Sequence, residues 1–324
     1  MKAMAESRND IEGFGLLGGF RAGFSSIARV LRRPSIPVFV WLAFLGLEAA
    51  LVLPAWEATA AALDRNPLAS GRDLSFLLDD LIRRVPSVVV ELRASPLVAM
   101  LLSTFFAGGA VLDLGLRGRR PRVLQGFLAD SGRAFPASFR CFLVFLLSIL
   151  CWSWFVGLAR GLLPEAARAG RDEAAAFAGN LAVMGIWLGG FGLLWILRRL
   201  ALARMLLEDR RSALLSWFAA LWLLLRRFPT ILAGYSGLFL VWGIGVTITT
   251  LAVGRFLAGD RFLPALLVGQ AGAILQKICL LASFVHAGNV WAVDRRARGE
   301  DSEPLVRVDP ACPPEGGGSP VIQL

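Results

Sequence analysis

Six stretches of this chain, residues 34–56, 96–116, 136–163, 180–205, 229–253 and 262–293, are almost uninterrupted runs of apolar residues. Each reaches the length of about 20 residues that a helix needs to cross the hydrocarbon of a bilayer. Hydrocarbon offers no partner to a bare N–H or C=O, so a chain crossing it must satisfy its backbone within helices or a closed barrel. These runs are long and lack the strict alternation of barrel strands. The fold they predict is all-α: a polytopic membrane bundle of six transmembrane helices.

Composition agrees, with 56% hydrophobic residues, 18% charged and a mean hydropathy of +0.64. The last run, residues 262–293, is long enough to tilt or overrun a membrane edge. Residues 1–33 contain no short apolar core followed by a small-residue cleavage site, so no removable signal peptide is expected. Polar sequence rich in proline and glycine follows Asp294 and is expected to be a disordered tail. The chain thus divides into an N-terminal amphipathic segment (1–33), a membrane domain (34–293) and a tail (294–324).

A net charge of +10 could by itself suggest nucleic acid. Its distribution argues for an orientation signal instead. With the N-terminus inside, the inner segments hold 23 Lys+Arg and 12 Asp+Glu, the outer segments 10 and 10. Cytoplasmic loops accumulate Lys and Arg, so both termini are placed in the cytoplasm and no nucleic-acid partner is expected.

Three amphipathic stretches precede spans on that inner side. Phe14, Leu17, Phe24, Ile27 and Leu31 form one face of the first; Leu124, Phe127, Leu128 and Phe135 mark the second; residues 212–225 form the third. Each ends at a proline, Pro34, Pro136 or Pro229, which suits the first turn of a new helix and discourages the old one from continuing. Aligning the prolines predicts three copies of a unit, an interfacial helix followed by two spans. Between residues 57 and 95, the stripe Leu74, Leu77, Leu78, Leu81 and Ile82 predicts a helix on the outer surface.

The segment from Phe105-Phe106-Ala107-Gly108-Gly109-Ala110 with Asp113, through Gly126-Phe127, Arg133 and Phe135 to Arg140, resembles a pattern in six-span bacterial inner-membrane proteins that have no settled activity. Glu208-Asp209-Arg210-Arg211-Ser212-Ala213-Leu214, followed by Arg226-Arg227-Phe228-Pro229, resembles the same family, as do Gly269-Gln270 and Ala282-Ser283. The likeness runs from the second span to the last, with Glu-Asp-Arg-Arg-Ser its most specific part. The chain departs from it at Ala134-Phe135-Pro136, where the family runs aromatics into the third span. The resemblance implies the topology and a bacterial cytoplasmic (inner) membrane. A fainter likeness, in helix order only, is to membrane domains beside glycerophosphodiester phosphodiesterases; no catalytic domain of that kind is present in the sequence.

Ionisable residues inside a span are costly and mark function or pairing. Glu48 and Lys277 lie at matching depths, about 21–22 Å from their inner ends at 1.5 Å per residue. That predicts a pair between the first and last spans, with Gln270 and Gln276 as polar neighbours. The pair either locks packing or lines a path. Asp113 lies at the depth of Asn289 and near His286, where the expected role is a satisfied polar contact; Arg117 or Arg119 could also neutralise it. In the Glu-Asp-Arg-Arg-Ser corner, Ser212 or Asp209 can cap the following helix, while Arg210, Arg211, Arg226 and Arg227 can address anionic lipid headgroups, a protein partner or the neighbouring acids. Gly185 and Gly189 form a small-x-x-x-small pair suited to helix contact or self-association.

Enzyme signatures are lacking in the sequence. Neither lysine completes a phosphate-binding loop, one histidine and four scattered cysteines give no metal spacing, and Gly234-Tyr235-Ser236-Gly237 is not a nucleophile elbow. No enzyme activity, cofactor or metal is expected. The leading expectation is a non-catalytic scaffold, accessory or lipid-interacting membrane component, alone or with a protein partner or second copy. The alternative is a transporter or channel subunit with a polar path near Glu48 and Lys277; a membrane hydrolase stands third.

Overall fold

The computed structural model describes residues 16–64, 86–116, 123–161, 173–259 and 261–298. Among these it contains helices and no strands: α1 (Leu16–Leu31), α2 (Ser35–Asp64), α3 (Pro86–Gly109) with a π-helical extension (Ala110–Leu116), α4 (Val123–Arg160), α5 (Glu173–Leu207), α6 (Ala213–Arg226), α7 (Phe228–Ala258) and α8 (Phe262–Ala297). Five helices are each long and apolar enough to cross a bilayer, and α1 with α2 supplies a sixth candidate as a pair bent by 82°. The molecule is a multi-pass helical membrane protein. The surface stripe at Leu74 to Ile82, Arg117 and Arg119, and the tail after Arg298 lie outside the described residues.

Helix α8 is the hub: α1, α2, α5, α7 and the π extension all pack on it. Small residues let them approach. Gly19, Gly23, Ser26 and Val30 form the buried stripe of α1. A Cβ on Gly19 would strike the Thr230 carbonyl, and one on Gly23 the Gly234 carbonyl, both on α7. The large apolar face of α1 turns outward, with Leu17, Phe24 and Leu31 exposed, as expected where the surroundings are lipid. In α6 likewise, Leu214, Leu215, Phe218, Trp222 and Leu225 are exposed while Ala213, Ser216 and Ala220 face the bundle.

One sequence expectation is narrowed and another corrected. Gly185 and Gly189 meet open space in the described chain, so they are not a helix contact within it; the close approach in α5 is Gly190 against Trp152 of α4. Pro136 does not end a helix, because α4 runs straight through it. The reason is tertiary. Phe127, Asp130, Ser131 and Ala134 before the proline and Ser138, Cys141, Phe142 and Phe145 after it form one buried face. Phe106 stacks on Phe127 at 5.9 Å and Phe105 meets Phe135 at 5.9 Å, so α3 is packed on the half that precedes the proline. The cost is one backbone hydrogen bond. The three proline junctions therefore differ: a sharp bend at Pro34, continuity at Pro136 and a break at Arg227 before Pro229.

Gly23→Leu, which must push α1 off α7, is expected to lower stability by about 1–3 kcal/mol. Gly185→Leu should leave it within about 0.5 kcal/mol. Thermal unfolding in detergent measures both, and equal losses would remove the packing account.

Candidate functional site

At the arginine-rich end of the bundle, polar groups are tied in pairs between helices. Asp113 is fully buried in the π extension, and Arg33, from the bend between α1 and α2, donates to its Oδ2 at 2.6 Å. Arg29 donates to Asn289 Oδ1 at 2.8 Å, and Asn289 Nδ2 donates to Ser26 Oγ at 3.3 Å. Asp113 and Asn289 are thus each tied to α1 or to the bend that follows it, with Arg33 as a partner that sequence spacing did not single out. His286 is different in kind. It meets Tyr235 edge-on at 5.0 Å and covers Gly234, with the Ala22 carbonyl nearby; neither ring nitrogen makes a hydrogen bond to a described residue.

The Glu-Asp-Arg-Arg-Ser segment turns the chain between α5 and α6. Asp209 adopts a positive φ of 47°, and Ser212 caps α6 by accepting from the Leu215 amide at 3.3 Å. Glu208 receives Arg204 at 3.0 Å, Arg210 at 3.4 Å and Arg298 at 3.7 Å. Asp294 receives Arg298 at 3.2 Å and Arg227 at 3.5 Å. Arg140 donates to the Arg211 carbonyl at 2.8 Å. The corner therefore joins α4, α5, α7 and α8, with Glu208 and Asp294 as its anions, while Arg210, Arg211 and Arg226 remain exposed.

The seam between α2 and α8 carries the other intramembrane candidates. Trp41 Nε1 donates to Gln270 Oε1 at 3.1 Å. The Lys277 ammonium lies 3.7 Å from the centre of the Phe44 ring, and Glu48, one turn beyond Phe44, is within Coulombic reach of it. No direct ion pair joins Glu48 to Lys277 among the described residues. The first and last spans do bring the two charges together, with an aromatic face as the immediate seat of the ammonium.

Two residues missed by sequence reasoning are Arg198 and Arg199, counted there only as interface charges. They are 4% and 1% exposed. Arg198 donates to Thr104 Oγ1 and lies 5.3 Å from the Phe142 ring centre and 5.1 Å from that of Phe145. Arg199 stacks on the Trp195 indole and lies 4.6 Å from the Phe284 ring centre. Among the described residues neither has a carboxylate partner, and the Nε of each lacks a hydrogen bond. Ring faces return only about 0.5–2 kcal/mol each, so these two cations keep most of their field. The available signal was adjacent arginines embedded in an apolar run just after a tryptophan.

One turn before Arg199, a cleft of about 650 Å³ opens between α5 and α7, with α8 as its back wall. Its lining is almost entirely apolar: Leu188, Phe191, Trp195 and Ile196 from α5, Leu238, Phe239 and Trp242 from α7, Cys279 and Leu280 from α8. Lys277 and Gln276 are the polar lining residues. Trp195 packs against Phe239 at 5.2 Å and Tyr235 at 6.1 Å, which joins α5 to α7 toward the arginine-rich end of the cleft. Toward the other end Leu188 and Trp242 are exposed at its lips. Among the described residues no group of three His, Cys, Asp or Glu could hold a metal ion. Such a cleft suits an apolar guest oriented by few polar groups.

Comparison with protein-family models, with curated proteins and with solved structures returned no match.

Asp113→Ala leaves Arg33 in the buried pocket and is expected to cost about 3–5 kcal/mol, whereas Asp113→Ala with Arg33→Met should recover at least half of the loss. Thermal unfolding of the three proteins in detergent tests this; an additive double variant would contradict the pairing.

Proposed function

We propose that this protein is a non-catalytic, lipid-interacting component of the bacterial cytoplasmic membrane, with both termini in the cytoplasm, that holds a lipid chain in the cleft between α5 and α7. The single observation that carries the reading is the cleft itself: a lateral opening of about 650 Å³ lined by leucine and aromatic side chains within the membrane-spanning region. An apolar pocket open sideways to hydrocarbon is filled by what surrounds it. The placement in the membrane is supported by the excess of inner-side arginine. The likeness of the Glu-Asp-Arg-Arg-Ser segment to six-span inner-membrane proteins points the same way. A transport path along Glu48 and Lys277 is less well supported, because the cleft lining offers only Gln276 and Lys277 as polar groups.

Gly192 lines the cleft, and a Cβ there meets open space, so Gly192→Phe fills the volume without a backbone clash. The wild-type chain, purified in a mild detergent, is expected to retain a photoactivatable fatty acid crosslinked to α5 or α7. Gly192→Phe should reduce the yield about tenfold at unchanged thermal stability. Undiminished labelling in the variant would refute the cleft as the site. For orientation, a fluorescent reporter that matures only in the cytoplasm should be bright when fused after Val308, and an alkaline phosphatase fusion there should be inactive; the reverse pattern would invert the topology.

A further inference from the structure

We infer that the guest of the cleft is anionic: a single-chain amphiphile with a carboxylate headgroup, its acid seated beside Lys277. The inference rests on the cleft reading above and adds the charge of the ligand. Among the described residues that line the cleft, Lys277 in its back wall is the one cation. No lining residue is acidic. The acid that Lys277 feels, Glu48, forms no direct pair with it among the described residues.

Where water is excluded, charges act on one another far more strongly than in solution, and a lining with one cation and no acid favours a guest of opposite sign. The Phe44 ring occupies one side of the Lys277 ammonium, which has three N–H donors to place. Gln276 beside it brings an amide that can bind a second carboxylate oxygen. From there the apolar lining extends between Leu188 and Ile196, about 12 Å along α5, which suits one chain. A neutral lipid of the same length would fill the volume and leave the Lys277 ammonium without a direct counter-charge.

Native mass spectrometry of the full chain in a neutral detergent tests this with dodecanoate, dodecanol and phosphatidylglycerol as separate probes. Dodecanoate is expected to be retained about tenfold better than dodecanol. The preference should shrink in Lys277→Gln, persist in Lys277→Arg and grow in Glu48→Gln. Equal retention of acid and alcohol would overturn the charge assignment and leave the cleft reading standing. Retention of neither would overturn both. Phosphatidylglycerol retained in preference to dodecanoate would overturn the single-chain carboxylate and point to a phospholipid. The comparison of acid with alcohol needs only the wild-type protein, so it decides the matter even if a Lys277 variant fails to fold.

Discussion

Hydrocarbon cannot supply a hydrogen bond or solvate a charge, and it cannot drive apolar helices together because it is as apolar as they are. What remains to hold this bundle is close backbone approach and polar ties, and both converge on α8. Gly19 and Gly23 let α1 lie directly on α7, and Gly272 meets Thr249 where α7 crosses α8. Asn289 ties α8 to α1 through Arg29 and Ser26, and Gln270 ties it to α2 through Trp41. Trp291 Nε1 donates to the Leu200 carbonyl at 2.6 Å and fixes α8 against α5. Remove the polar partners and the helices would have little reason to choose this arrangement over any other in lipid.

The long apolar runs were legible because their length has one physical meaning in a bilayer. Five of the six spans of the sequence reading match α3, α4, α5, α7 and α8; the first falls on α2, which reaches span character only together with α1 as a bent pair, and the third amphipathic stretch is α6. Boundaries were less legible. Pro136 is a local signal for a break, and packing on α3 overrides it; nothing local to residues 132–140 reports that Phe105 and Phe106 wait on the neighbouring helix. The π-helical turn at Ala110–Leu116 is equally invisible, although turns of that kind gather at functional sites. At Gly185 and Gly189 small-residue spacing marks a face open to approach, and no helix among the described residues lies on it.

The site was half legible. Glu48 and Lys277 could be paired by depth, since helical rise converts residue number into height. The ring of Phe44 between them could not be anticipated, because height does not say which way a side chain turns. Arg198 and Arg199 carried a visible signal whose meaning depended on burial by other helices. The cleft had none: it is a property of three helices diverging, and its lining of leucine, phenylalanine and tryptophan reads in sequence like any other span.

The tie between Arg29 and Asn289 spans 260 residues of chain. During synthesis, at about 5–20 residues per second, Arg29 emerges on the order of ten to fifty seconds before the residue it will bind. Throughout that interval the hub of the bundle does not exist, and α1 and α7 lack the helix against which both are later clamped. The nascent molecule is therefore a set of helices awaiting their organiser, and the packing that α8 centres can form only once α8 has been made.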